Sequence, residues 1–291
     1  MADDPEPPPP AAEGDARNQA ENEAPHQGQG QGQGDRAGGR TVVGRAVLDR
    51  VDALTRAGLL SVWGRSRLGR PIVRGTFFPA AGAFQLLFVG GVHGDEPASV
   101  EALLELAARL GAFPARGAHN LAPGGPDGVA ITIIPALNPD GVASGLKNAA
   151  SDVDLNRNFP ARNFVTAHAP GYHPGPAPLS EPETALLARL IEQQRIDAVV
   201  AVHAPFACVN YDGPAQTWAE LVARASGWPV RENIGYPTPG SLGSWLGVDR
   251  FLPVLTLELP PGPLAGFAGA AAAALDAACA GCCEPGQREI S

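Results

Sequence analysis

Residues 84–110 read FQLLFVGGVHGDEPASVEALLELAARL, and this stretch decides the fold. Phe84 to Val89 is a continuous apolar run of strand length, and Gly90 and Gly91 end it. His93, Asp95 and Glu96 follow in a tight polar turn, and from Pro97 apolar residues recur at helical spacing. A buried strand that passes through a polar turn into a helix is the building unit of an α/β sheet, where ligands bind beyond the carboxyl ends of the strands. His93 and Glu96 set an imidazole and a carboxylate three residues apart at that edge, two of the donor types that hold zinc. Alone, the pair also reads as a polar turn capping a helix. The rest of the chain has to supply a third donor and a base.

Two later strands offer them. Ala198 to Val202 is short, β-branched and apolar, and it ends on His203, the second of six histidines to stand just past a buried strand. Leu252 to Leu259, LPVLTLEL, carries Glu258 inside an apolar run. A carboxylate there is costly unless it is paired, at an end, or facing a cavity, which makes Glu258 the candidate general base. Between these strands and the first, Val129 to Ala136 reads as another buried strand, closed by the turn signal Asn138-Pro139-Asp140-Gly141. Lys147 to Pro160, KNAASDVDLNRNFP, has neither period and packs Asp154, Asn156, Arg157 and Asn158 together. Arg offers a planar fork that matches a carboxylate and Asn offers both donor and acceptor, so the segment suits a binding loop; a solvated loop with an internal ion pair is the alternative.

The remaining elements are a helix over Val47 to Leu60 and paired strands within residues 61–77, turned at Leu68 to Arg70. A capping box of Ser180 and Glu183 leads a helix over Thr184 to Gln194, a further helix over Thr217 to Ala225 stops at Gly227, and an Ala-rich helix runs from Pro263 to Cys283. His168 and His173 fall in a Pro/Gly loop and are assigned to the surface, at most to the rim of a site.

With 291 residues, 44% of them hydrophobic, the chain can bury one large core, and a single α/β domain is expected over residues 41–283. Residues 1–40, rich in Pro, Gly, Gln and charge with GQGQGQG at 28–34, hold too few apolar side chains to offset the entropy of ordering and are expected to be a disordered tail. Residues 284–291 make a short C-terminal tail. A net charge of -9 and a pI of about 5.1 argue against a phosphate-backbone binder, so no nucleic-acid partner is expected. No apolar run nears the roughly 20 residues that span a bilayer, and MADDPEPPPP lacks the basic and apolar regions of a secretion signal. Four cysteines, three of them (Cys279, Cys282, Cys283) crowded at the end, make no disulfide framework. A cytoplasmic protein is expected, with no membrane partner; oligomeric state is not encoded in any of these features.

Taken in order, GRSRLGRP, GVHGDEP, NPDG, DVDLNRNFP, LSEPET, the strand ending in His203, YPTPGSLGSW and TLELPP resemble the zinc carboxypeptidase family, and within it the murein peptide amidases, over roughly Gly64 to Pro261. The resemblance implies a three-layer α/β/α fold with a mixed central sheet. It implies one Zn2+ per chain on His93, Glu96 and His203, Glu258 as catalytic base, and Asn156 and Arg157 gripping the free carboxylate of the residue released. Tyr236 matches a mobile tyrosine that closes over substrate. Lys147 stands where these amidases have an oxyanion-stabilising Arg, keeping the charge without the fork, and Ala204 stands where they have an acidic residue. Asp95 occupies the place of an Arg in digestive relatives and would disfavour an acidic group upstream, while Gly243 falls at the specificity position and leaves room for a long polar residue. The implied substrate is a small murein tripeptide, L-Ala-γ-D-Glu-meso-diaminopimelate, cut at its γ-D-Glu bond in peptidoglycan recycling. The alternatives are a deacylase of N-acyl amino acids resembling succinylglutamate desuccinylase or aspartoacylase, and a non-catalytic zinc protein that binds murein peptides.

Overall fold

Eight strands, β1 (Ser61–Arg65), β2 (Pro71–Phe77), β3 (Phe84–Val89), β4 (Val129–Ile134), β5 (Ala198–His203), β6 (Cys208–Asp212), β7 (Val230–Arg231) and β8 (Val254–Glu258), form one sheet in the order β1-β2-β4-β3-β5-β8-β6-β7. The computed structural model describes residues 33–112, 128–262, 264 and 266–279. β4, β3, β5 and β8 run parallel, β1 pairs antiparallel with β2 and β2 with β4, and β6 returns antiparallel to β8, so the sheet is mixed.

The parallel strands are buried on both faces and therefore lack an apolar/polar alternation. Their successive side chains still divide between two cores. Leu86 and Phe88 of β3, Val200 and Val202 of β5, and Leu255 and Leu257 of β8 pack in one core with α1 (Gln33–Arg56), α2 (Pro97–Gly111), α5 (Gln216–Ser226) and α6 (Phe267–Cys279). Leu87 and Val89, Val199 and Ala201, and Val254 enter the other with α4 (Pro182–Gln193) and the segment carrying Leu242, Trp245 and Leu246. Helices on both faces of a sheet make the three layers expected. A short α3 (Pro139–Ser144) follows β4, capped by Asn138, whose side chain accepts from Gly141 N at 2.8 Å.

Several boundaries differ from the sequence reading. α1 starts at Gln33 and ends at Arg56, with Gly58 beyond it at a φ of 78°. β6 and β7 are strands that no apolar run announces. The proposed capping box does not form: no side chain caps α4, because Glu183 Oε1 accepts from Arg67 N at 2.9 Å instead. A tertiary partner has outcompeted the local one. Residues 1–32 of the expected tail, 284–291, and Cys282 and Cys283 lie outside the described residues.

This topology positions the site. β3, β5 and β8 are adjacent and parallel, so their carboxyl ends share one edge, and the register sets His203 opposite Glu258.

Candidate active site

The turn after β3 is held down by neighbouring turns. Gly94 N donates to Lys147 O at 3.0 Å, and Asn138 Nδ2 donates to Val92 O and Lys147 O, each at 3.3 Å. A Cβ at Gly94 would overlap the backbone of Gly141, so only glycine allows this approach. Held this way, the turn directs His93 and Glu96 toward the end of β5.

Glu96 stands between the two imidazoles: Oε1 is 2.8 Å from His93 Nδ1, and Oε2 is 3.1 Å from His203 Nδ1 and accepts from Ala204 N at 3.2 Å. The two rings are 4.9 Å apart, centre to centre. One donor atom from each of the three residues lies within 4.8 Å of the others, and among the described residues no other group of three or more His, Cys, Asp or Glu converges this way. On its far edge, His93 Nε2 meets Asp154 Oδ1 at 3.1 Å. Asp154 is completely buried and pairs its second oxygen with Lys147 Nζ at 2.8 Å.

Electrostatics in this cluster run against solvation. Burial disfavours charge on both His93 and Glu96, yet their mutual attraction prevails: the Glu96 and Asp154 carboxylates hold His93 up at about 10, and the two imidazoles hold Glu96 down at about 2. Burial would likewise raise Asp154, but the hydrogen bond and charge of His93, with Lys147 and Arg157 behind, keep it well below the carboxylate range. Glu258 differs. Burial pushes it up, His203 only partly opposes this, and Glu96 adds to it; its buried Oε2 has no hydrogen-bond partner among the described residues.

His93, Asp95, Glu96, Lys147, Asn156, Arg157, His203, Tyr236, Gly243 and Glu258 all line one open cleft of about 380 Å³, the size range of small-ligand sites. Asn156 accepts on Oδ1 from Leu242 N at 3.0 Å. Arg157, itself buried, donates from Nη1 to Asn156 O at 2.7 Å and lies 5.2 Å over the ring of Tyr172. Lys147 Nζ donates to Gly171 O at 3.1 Å and stands 3.7 Å over the same ring. Tyr236 is at the exposed margin with its ring 5.9 Å from Tyr172; burial and that neighbour push its hydroxyl up to about 12. The space above Gly243 holds the Asp212 carboxylate, which a Cβ would overlap. His168 and His173 meet edge to face, 4.7 Å between ring centres, and do not line the cleft, though His173 O accepts from Asp154 N at 2.8 Å.

Tyr172, Asn210 and Asp212 line the cleft without having been singled out in the sequence. Tyr172 lies in a Pro/Gly loop, and the other two belong to β6, whose CVNYD is too short and polar to read as a strand. One signal was present: Asn210 and Asp212 are two residues apart, the spacing of one strand face.

Two imidazoles and a carboxylate converging at a cleft, beside a buried carboxylate whose Oε2 has no hydrogen-bond partner among the described residues, fit zinc's preferred donors, the site of a zinc hydrolase. The zinc carboxypeptidase family model matches residues 54–220. The chain is 36% identical to murein peptide amidase A of Escherichia coli (strain K12) over 214 residues, which are 68% of this chain and 80% of that protein. Among solved structures, the murein-tripeptide amidase of Escherichia coli O157 superposes with a TM-score of 0.60 at 32% identity, covering 74% of this chain and 91% of that one. Carboxypeptidase A of Helicoverpa armigera shares the fold, with a TM-score of 0.64 at 18% identity over 76% and 68% of the two chains. The protein belongs to the zinc carboxypeptidase family and is a zinc-dependent hydrolase.

Proposed function

We propose that the protein hydrolyses the amide bond that holds a free C-terminal residue, and that this bond is the γ-D-glutamyl to meso-diaminopimelate link of murein tripeptide. The observation that carries the proposal is the placement of the imidazole–carboxylate cluster, Glu258 and the Asn156–Arg157 pair in one cleft, in a chain 36% identical to a murein peptide amidase. His93, Glu96 and His203 would hold a zinc ion, which would supply Lewis acidity toward the scissile carbonyl and a water acidified to a pKa of about 7. Glu258 takes the proton of the attacking water and hands it to the leaving amine; its raised affinity for a proton suits it to both transfers.

Binding falls to the loop after α3. Asn156 has its carbonyl oxygen tied to Leu242 N, which leaves its amide N–H groups for the substrate carboxylate. Arg157, steadied by Asn156 O and the Tyr172 ring, presents the rest of its fork to the same carboxylate. Lys147 is held by Asp154 and Gly171, so it offers the developing oxyanion a charge rather than a fork. Tyr236 keeps its proton at neutral pH and closes over the substrate as a donor, and exposed Asp95 at the mouth disfavours acidic groups upstream. Four cysteines, of which Cys208 is free and buried, fit a reducing compartment, and we place the activity in the cytoplasm, in recycling of cell-wall peptides.

The test is mass spectrometry of the zinc-loaded protein incubated with synthetic L-Ala-γ-D-Glu-meso-diaminopimelate, run beside Glu258→Gln. Free diaminopimelate released by the parent protein alone is the expected result. Rapid release of C-terminal residues from α-linked peptides, or cleavage of N-acyl amino acids, with none from the tripeptide, would overturn the substrate assignment.

A further inference from the structure

Asp212 is the one acidic side chain in the cleft for which the steps above provide no use. It ends β6, two residues beyond Asn210 on the same strand face, and β6 runs antiparallel to β8 with Asn210 opposite Thr256 and Asp212 opposite Val254. From Glu258 to Val254 is four residues, about 13 Å of strand. Asp212 therefore sits well away from the proposed chemistry, at the far end of the same cleft.

Its surroundings are built around its carboxylate. A Cβ at Gly243 would overlap Oδ2, and a Cβ at Gly247 would overlap Asp212 itself, so two glycines make the room. No hydrogen bond or ion pair among the described residues reaches the side chain, and burial raises its pKa unopposed. A half-buried carboxylate without a partner is costly, and a cationic group brought by a ligand would remove that cost. Leu242, whose N–H is bound by Asn156, directly precedes Gly243. The proposed carboxylate clamp and Asp212 thus flank the same two residues of backbone, and one bound amino acid can reach both.

We propose that Asp212 selects the residue to be released, its carboxylate receiving a positively charged group at the far end of that residue's side chain. This rests on the amidase function above for the direction in which substrate lies, and it narrows the substrate class to residues with a distal ammonium, diamino acids foremost. A short side chain leaves Asp212 unpaired, and a distal carboxylate without an amine meets it with like charge.

The experiment compares two γ-linked tripeptides, one ending in meso-diaminopimelate and one in 2-aminopimelate, which lacks only the distal amine. The parent protein is expected to favour the first in kcat/KM by at least about tenfold, the scale on which a site built for a polar group rejects its absence. Asp212→Asn brings the ratio close to unity, with the zinc content intact. Gly243→Ala, which pushes the carboxylate aside, reduces the same ratio. Equal losses on both substrates in Asp212→Asn, or a parent protein indifferent to the amine, would overturn the proposal. If the parent protein cleaves neither tripeptide, the amidase function fails separately, and calorimetry of the two free amino acids on the zinc-loaded protein decides the role of Asp212. Preference for diaminopimelate that Asp212→Asn abolishes supports the proposal, and equal binding rejects it.

Discussion

Asp154 Oδ1 lies 3.1 Å from His93 Nε2, on the opposite edge of the ring from Glu96, whose Oε1 is 2.8 Å from Nδ1. One carboxylate thus orients the imidazole while the other shares its ligand face. Once a metal displaces the proton on Nδ1, accepting from Nε2–H would fix the tautomer and make the Nδ1 lone pair more basic. Asp154→Asn is expected to weaken zinc binding about tenfold to a hundredfold, the usual cost of losing such an outer partner, as measured by competition with a chromophoric chelator.

Glu258 is expected to matter to turnover and not to metal retention. Glu258→Gln keeps the shape of the side chain but cannot accept the proton, and kcat falls by about 10²–10⁴. Metal analysis should still return one zinc per chain; loss of zinc would move Glu258 into the ligand set.

Removing a ligand produces the opposite pattern. His203→Ala leaves Glu96 with one imidazole, and both zinc and activity are lost. A chelator acting on the parent protein gives the same inactive state, restored by added zinc. The melting temperature falls with the metal, since zinc at a thousand times its Kd stabilises the fold by about 4 kcal/mol.

Tyr172 carries two cations on one ring, Lys147 at 3.7 Å and Arg157 at 5.2 Å. Tyr172→Leu keeps an apolar side chain and loses the ring's attraction for the two cations. A cation–π contact contributes about 0.5–2 kcal/mol, so KM is expected to rise roughly twofold to thirtyfold, with a smaller change in kcat. Steady-state kinetics on the tripeptide separate the two constants.

Glu183 gives a pH signature far from the chemistry. It is buried, its Oε2 has no hydrogen-bond partner among the described residues, and burial with the Glu181 and Asp140 charges raises its pKa above 4.5. A raised folded-state value favours folding fully below pH 4.5, and that contribution is lost as pH rises through it. Glu183→Gln retains an oxygen for Arg67 N and never ionises. It should be more stable than the parent by on the order of 1 kcal/mol at pH 7.5, and this gain should shrink to nothing below pH 4.5 in denaturant titrations.

Much of this architecture was legible because the parallel strands are buried on both faces and read as unbroken apolar runs: FQLLFV, VAITII and AVVAV mark β3, β4 and most of β5. The turn after β3 carries His93, β5 ends on His203 and β8 on Glu258, and the cleft brings these together with the loop residues Asn156 and Arg157. What escaped was decided by contacts across long separations. The role of Asp154 depends on a ring 61 residues away, and Glu183 leaves its local cap for a backbone N–H 116 residues distant. β6 is a strand because β8 offers it a partner, which no window of five residues contains.

The order of strands in the sheet has one more consequence. His93, His203 and Glu258 stand at or just beyond the ends of three neighbouring strands that are far apart along the chain, so no fragment short of the last strand holds them all. During synthesis Glu258, the proposed base, arrives last, after both imidazoles. A chain that stops short of β8 lacks the proposed base, so hydrolysis at this cleft is expected only once the sheet is complete.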